Sequence, residues 1–117
     1  MFEKKTSGEI KIIKEAGYQR ISISGYIFHP DEVYKLSDAY EQVKEEHKIL
    51  LDLSRADWLT SIGVAAIARI VAMSLESPVE QKVYVIVKKE FKERYFDERP
   101  WADGRVFVHE EDIPANS

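Results

Sequence analysis

The chain has 117 residues, of which 44% are hydrophobic and 32% charged, a composition typical of a soluble globular protein. We expect one domain over residues 1–117, whose packed part between about residue 8 and residue 113 is large enough for a genuine core. The net charge of −4 argues against nucleic acid as a partner, and the absence of cysteine excludes disulfide and thiol chemistry.

The first part of the chain predicts a hairpin followed by an amphipathic helix. Residues 9–15 place isoleucines between charged residues, and residues 20–27 alternate isoleucine with serine, so both segments are predicted strands. Ala16 and Gly17 supply the turn between them. A helix is predicted from Asp31 to His47, because apolar residues recur at helical spacing and His47 complements the carboxy-terminal end of the helix dipole.

The second part of the chain predicts alternating strands and helices. A buried strand is expected over residues 49–53, then a polar loop over residues 54–57 and a helix that opens at Thr60 and Ser61. Ser77 and Pro78 end this helix. The remaining segments are predicted as a buried strand at 83–87, a short helix at 89–96, a loop at 97–104, a strand at 106–108 and an acidic tail at 110–117.

The predicted order of elements is ββαβαβαβ. A helix that joins two strands of one sheet implies a right-handed parallel crossover, whereas the first hairpin is antiparallel. We therefore predict an α/β fold with a mixed, mostly parallel sheet of about five strands and three helices.

The predicted helix that opens at Thr60 and Ser61 is apolar nearly all round. Its only charge before Glu76 is Arg69. A helix without a polar side must be covered on more than one side. The cover is either a neighbouring helix of the same chain or a partner protein, and the sequence leaves both alternatives open.

The region from the buried strand through this helix resembles the signature of STAS domains, the fold of bacterial anti-sigma factor antagonists. The family pattern is an apolar strand with an aspartate near its end, an apolar pair, Asp-Ser-x-Gly and an apolar helix of small residues. The matching residues are the strand aspartate Asp52, the apolar pair Trp58 and Leu59, the regulatory phosphoacceptor serine Ser61 and the glycine Gly63. Thr60 departs from the pattern, since the family usually has aspartate there. The predicted order of elements also matches that family.

The resemblance implies a protein-binding domain regulated by phosphorylation of Ser61, with Thr60 as an alternative acceptor. The expected partner is a serine-kinase anti-sigma factor, which the unmodified domain sequesters, or another protein. A phosphate adds about −1.5 to −2 charges, and beside an apolar surface it should weaken docking. The expected partner-binding residues are Trp58, Leu59, Thr60, Ser61, Ile62, Gly63 and Val64. Asp52 is expected to orient the loop or to cap a turn.

Other interpretations of the same residues stay open. Ser61 also fits a first-turn serine without a regulatory role, and Trp58 fits either an interface or a core position. The chain also resembles STAS domains that are constitutive subunits of signalling scaffolds and of transport ATPase complexes. Thr60 favours that alternative, because it places no negative charge beside the acceptor serine. A small-molecule sensor is a third interpretation. The oligomeric state is left open, a dimer included.

Patterns of other function classes are missing from the sequence. There is no glycine-rich phosphate loop or nucleophile elbow, and no pair of carboxylates stands out, so we do not expect an enzyme. The three histidines lie far apart, so neither a metal site nor a cofactor is expected. Without a signal peptide or a long apolar run, we expect a cytoplasmic protein that does not insert into membranes.

Overall fold

A five-stranded sheet with its helices packed on one face forms the fold. The computed structural model describes residues 9–15, 17–27 and 30–114. The strands are β1 (Glu9–Glu15), β2 (Tyr18–Ile27), β3 (Lys48–Leu59), β4 (Lys82–Ile86) and β5 (Val106–Phe107). The helices are α1 (Pro30–Val43), α2 (Ser61–Leu75) and α3 (Lys89–Phe91), and α3 continues as a π-helical turn over Lys92–Phe96. Short 3-10 turns follow at Pro100–Ala102 and Glu110–Asp112.

The strand order in the sheet is the order of the strands in the chain, β1-β2-β3-β4-β5. β1 pairs antiparallel with β2, and every later pair is parallel. Each crossover therefore moves in the same direction, and right-handed crossovers of this kind place their helices on the same face of the sheet. The predicted α/β fold, with a mixed, mostly parallel sheet of five strands and three helices, is confirmed.

The main core lies between this helical layer and the sheet. β3 and β4 contribute alternate residues to it, because successive side chains of a strand point to opposite faces. The largest fully buried side chains are Ile21, Ile23, Leu36, Ile49, Leu51, Leu53, Leu59, Ile67, Ile70, Val71 and Phe96. Trp101 packs edge-on against Phe96, with ring centroids 5.8 Å apart, so the 97–104 segment is held to the core.

The predicted loop at residues 54–57 is wrong, because β3 continues through these residues to Leu59. The register of β2 against β3 shifts twice there, which is typical of β-bulges. β3 extends beyond the end of β4, because the last paired residue of β4, Ile86, lies opposite Asp52. The end of β3 therefore pairs only with β2, and its polar side chains can face water while Ala56 and Leu59 stay buried.

The predicted end of the first helix is also wrong, because α1 ends at Val43 and no basic residue lies in its last turn. His47 follows the helix, and its Nδ1–H donates a hydrogen bond of 2.9 Å to the carbonyl of Glu80. It therefore ties the connection before β3 to the one before β4. Gly17 adopts a positive φ of 86° in the hairpin turn, whereas Ala16 and the end of the tail at 115–117 lie outside the described residues.

The face of the sheet away from the helices, here the back face, carries a smaller cluster. Leu50, Tyr84 and Ile86 are buried there, and Ile113 from the C-terminal segment packs against them. The C-terminal segment thus covers a face on which none of the described α-helices packs.

Arg20 holds this C-terminal segment to the back face. Its guanidinium binds three carboxylates: Asp52 at 2.6 Å, Glu110 at 2.8 and 2.9 Å, and Glu15. Asp52 also accepts hydrogen bonds from the N–H and the hydroxyl of Ser54, at 2.9 and 2.6 Å. Burial raises the pKa of Asp52, but the bonds from Ser54 and Arg20 lower it further, so the net pKa lies below the ordinary value.

We expect Arg20→Met to lower the free energy of unfolding by about 2–3 kcal/mol, because it leaves partly buried carboxylates without their cation. Urea unfolding at neutral pH measures this loss. Lys11→Met is the control, since the Lys11–Glu9 pair is exposed and such pairs contribute at most about 1 kcal/mol. An equal effect of the two changes would contradict the role assigned to Arg20.

The same variant should change how stability depends on pH. The folded pKa of Asp52 is lowered, so its contribution is present above the unfolded pKa and is lost as the pH falls through the folded pKa. Without Arg20 the folded pKa rises toward the unfolded value, so we expect Asp52 to contribute a smaller acid-side loss of stability than in the unchanged protein. Unfolding midpoints measured across the acid range test this.

Candidate functional site

The amino end of α2 lies at the edge of the sheet where the parallel strands β2 and β3 end. Only Thr60 separates the last residue of β3 from Ser61, the first residue of α2. Thr60 has an extended backbone, with φ −116° and ψ 171°, and its carbonyl accepts the first helical hydrogen bond, from Val64 at 3.0 Å. This short connection fixes Ser61 at the rim of the helical layer.

The predicted partner-binding residues divide into accessible and buried ones. Ser61 is exposed, and two apolar residues close to it in the chain are exposed as well, Trp58 at 44% and Ile62 at 51%. Thr60 is half-buried. Trp58, whose position the sequence left open, is therefore a surface residue.

The other three predicted partner-binding residues, Leu59, Gly63 and Val64, are buried. Leu59 is 0% exposed and Val64 2% exposed, so their side chains pack into the core below the surface. A partner that docks on this edge would meet Trp58, Thr60, Ser61 and Ile62. The buried residues hold that surface in place.

α2 is covered on its inner side and open on its outer side. Val64, Ile67, Ile70 and Val71 are buried against α1 and the sheet. The outer stripe of α2 consists of the exposed residues Ile62, Ala65, Arg69, Ala72 and Leu75. The cover is thus partly internal, and one apolar side of the helix faces outward. This stripe was not predicted from the sequence, although its spacing of three and four residues is a readable signal.

The electrostatic environment at the amino end of α2 suits an anion. The first N–H groups of a helix lack intrahelical partners and carry the positive end of the dipole. Thr60 makes no side-chain capping hydrogen bond, and the first turn contains no acidic residue. An oxyanion on Ser61 would therefore lie beside N–H donors that no described side chain caps.

Asp52 does not join this site. Its register neighbours in the sheet are Ser22 and Ile86, and Ile86 belongs to the cluster of the back face. Its contacts are with Arg20 and Ser54, so it stabilises the bulged part of β3 from the face opposite the helices. No local pattern indicates the contact between Asp52 and Arg20, because 32 residues separate the two.

Few other features of the described residues suggest chemistry. A groove of about 970 Å³ lies between the π-helical turn and β5, and it is lined by mixed charges, among them Lys92 paired to Asp97 at 2.6 Å. The described part of the chain holds no group of three or more metal-ligating side chains. In the same residues, no helix is long and apolar enough to cross a bilayer.

Comparison with solved structures places this architecture among known folds. An anti-sigma factor antagonist from Mycobacterium paratuberculosis superposes with a TM-score of 0.73 and 16% sequence identity, over 92% of this chain and 91% of that one. An uncharacterized DUF3478-family protein with a SpoIIAA-like fold, from Shewanella loihica PV-4, superposes with a TM-score of 0.52 and 17% identity, over 97% and 95%. No family model matches the sequence, and no curated protein matches it significantly. The chain therefore has the STAS-like fold that its sequence predicted.

Thr60→Asp should stabilise α2, because an aspartate at the N-cap accepts a first-turn N–H and complements the dipole. We expect the free energy of unfolding to rise by about 0.5–1 kcal/mol at neutral pH. The gain should shrink below about pH 4, where the carboxylate is protonated. Unchanged stability at neutral pH would show that the first N–H groups of α2 already have hydrogen-bond partners.

Proposed function

We propose that this STAS-like domain is a protein-interaction module that acts as an anti-sigma factor antagonist. In this proposal the unmodified chain binds and sequesters a serine-kinase anti-sigma factor in the bacterial cytoplasm, which frees a sigma factor for transcription. The kinase transfers a phosphoryl group from ATP to the Ser61 hydroxyl, and the modified chain is released.

The observation that supports this proposal is the position of Ser61. Its side chain is exposed at the first turn of α2, next in the chain to the exposed Ile62 and three residues after the exposed Trp58. A kinase can reach a hydroxyl there, and a partner that covers the amino end of α2 must also cover the hydroxyl. Modification and docking therefore involve the same surface.

The physical basis of the switch is the cost of burying charge. A phosphate carries about −1.5 to −2 charges at neutral pH. In the free protein it would gain from the helix dipole and the first-turn N–H groups. In the complex the same group would lose its water against apolar side chains or meet acidic groups of the partner, so phosphorylation favours the free state.

A second candidate function is a constitutive subunit of a signalling scaffold or of a transport ATPase complex. Thr60 favours it, since the position before the acceptor has no negative charge for a kinase to recognise. In that case the same apolar surface docks permanently and Ser61 is never modified. The two candidates share the surface and differ in the modification.

Purification from the source cells, with mass measurement of the intact chain, separates the two candidates. We expect a co-purifying kinase and a fraction of chain that carries one phosphate, which Ser61→Ala abolishes. A phosphate that persists in Ser61→Ala and disappears in Thr60→Ala would place the acceptor at Thr60. A scaffold or ATPase partner with no phosphate would support the second candidate.

Affinity for that purified partner tests the switch itself. We expect Ser61→Ala to bind like the unmodified protein and Ser61→Asp to bind about tenfold more weakly or worse, because an unpaired charge is desolvated in the complex. Isothermal titration measures both constants. Equal affinities of the two variants would refute the switch.

Two exposed isoleucines provide a matched test of the docking surface. Ile62 is 51% exposed beside Ser61, whereas Ile13 is 42% exposed and pairs with Arg20 on the back face. We expect Ile62→Ser to weaken partner binding about fivefold to tenfold, since loss of an interface residue costs about 1 kcal/mol or more. Ile13→Ser should leave binding unchanged. Unfolding curves of both variants show whether a loss of stability contributes to any change in partner binding.

A further inference from the structure

The outer stripe of α2 extends the candidate site along the whole helix. Ile62, Ala65, Arg69, Ala72 and Leu75 are all exposed, and they follow one another at intervals of three and four residues. From Ile62 to Leu75 the stripe is about 20 Å long, at 1.5 Å per residue. Its ends are large apolar side chains, 51% and 66% exposed, and small alanines lie between them.

This spacing and shape fit another helix. A seam of three- and four-residue intervals is what one helix presents to a second that crosses it at a shallow angle. Alanines at the seam allow the two backbones to approach closely, and the large residues at both ends lengthen the contact. In this fold no described helix lies over the stripe, since α1 packs on the other side of α2.

The single charge of the stripe identifies the chemistry of the second helix. Arg69 is exposed between Ala65 and Ala72, and among the described residues it has no ion pair. A helix docked on the stripe would remove water from this guanidinium. Burial of an unpaired charge is strongly unfavourable, whereas a carboxylate opposite it can form charge-assisted, bidentate hydrogen bonds.

The position of Arg69 disfavours a second copy of this chain as the occupant. Arg69 lies seven residues after Ile62 and six residues before Leu75, close to the middle of the stripe. A two-fold pairing that buries the whole stripe, parallel or antiparallel, would therefore bring the two Arg69 side chains together. Like charges at the centre of an apolar contact oppose that dimer.

We infer that the outer stripe of α2 is the docking surface for an amphipathic helix of a partner protein, with a carboxylate at the middle of its apolar face opposite Arg69. The inference rests on the proposed function, because it describes the partner of the same site. It adds what the partner presents, namely a helix of about four turns with apolar residues on both sides of one Asp or Glu.

Selection from a library of displayed helical peptides tests the inference. Each peptide has about 15 residues, apolar residues fixed on one stripe and the central stripe position randomised. Against the full chain we expect enrichment of Glu or Asp at that position, and against Arg69→Glu we expect Lys or Arg instead. A selected Glu peptide should bind about tenfold more tightly than its Gln counterpart.

Two variants locate the binding. Leu75→Lys should abolish binding of the selected peptides, whereas Ile13→Lys, an equivalent change on the back face, should leave it intact. Three results would overturn the inference: no enriched peptide, no change of preference with Arg69→Glu, or a dimer in sedimentation equilibrium that Leu75→Lys dissociates.

The experiments distinguish a failure of the helix-docking inference from a failure of the proposed phosphorylation switch. If the preference at Arg69 fails while Ser61→Asp still weakens binding of the purified partner, only the helix inference is wrong. If the charge exchange at Arg69 succeeds while Ser61→Asp and Ser61→Ala bind the partner equally, the docking surface stands and the proposed switch is wrong.

Discussion

The handedness of the parallel crossovers is the constraint on which the rest of this structure depends. The strands lie in the sheet in the order of the chain, so every crossover from β2 to β5 proceeds in the same direction. Right-handed connections then place all the helices on the same face. The protein has two layers instead of three, and α2, its most apolar helix, has a covered side and an open side.

The open side of α2 connects the fold to its proposed function. The inner residues Ile67 and Ile70 fix the helix to the sheet, and the short connection through Thr60 fixes its first residue at the rim. Ser61 is therefore held in a defined place without being buried. A modification there adds charge to a surface that is otherwise apolar, with Arg69 as the only cation of the outer stripe. In the proposed switch, negative charge in a partner is attracted to Arg69 and repelled by a phosphate on Ser61.

The back face differs, since no α-helix of the described residues covers it. The C-terminal segment provides the cover: Ile113 packs on the small apolar cluster, and Glu110 binds Arg20. Arg20 also binds Asp52, the aspartate that the sequence pattern relates to the switch region. In this structure that aspartate has a structural role, because it connects β2 to the bulged part of β3 from the face away from Ser61.

The sequence alone determined the element order, the mixed sheet and the place of Ser61 at the start of an apolar helix. These features follow from local signals: alternation in the strands, helical spacing in α1, small apolar residues in α2, and a signature confined to consecutive residues. The errors arose where local polarity was misleading. The polar residues 54–57 continue β3 because the strand is paired on one side only there, and His47 lies beyond a helix that ends early.

Only the tertiary structure decided which sides of α2 are covered, which residues Asp52 contacts and that Arg69 is exposed. An apolar pattern indicates that a side chain favours burial. The direction of the crossovers determines which elements pack over that side chain. Contacts such as Arg20 with Glu110 join residues 90 positions apart, and no local pattern encodes them. Trp58 and Leu59 are adjacent and both apolar, but Trp58 is exposed and Leu59 is buried. Neighbouring residues of a strand point to opposite faces of the sheet.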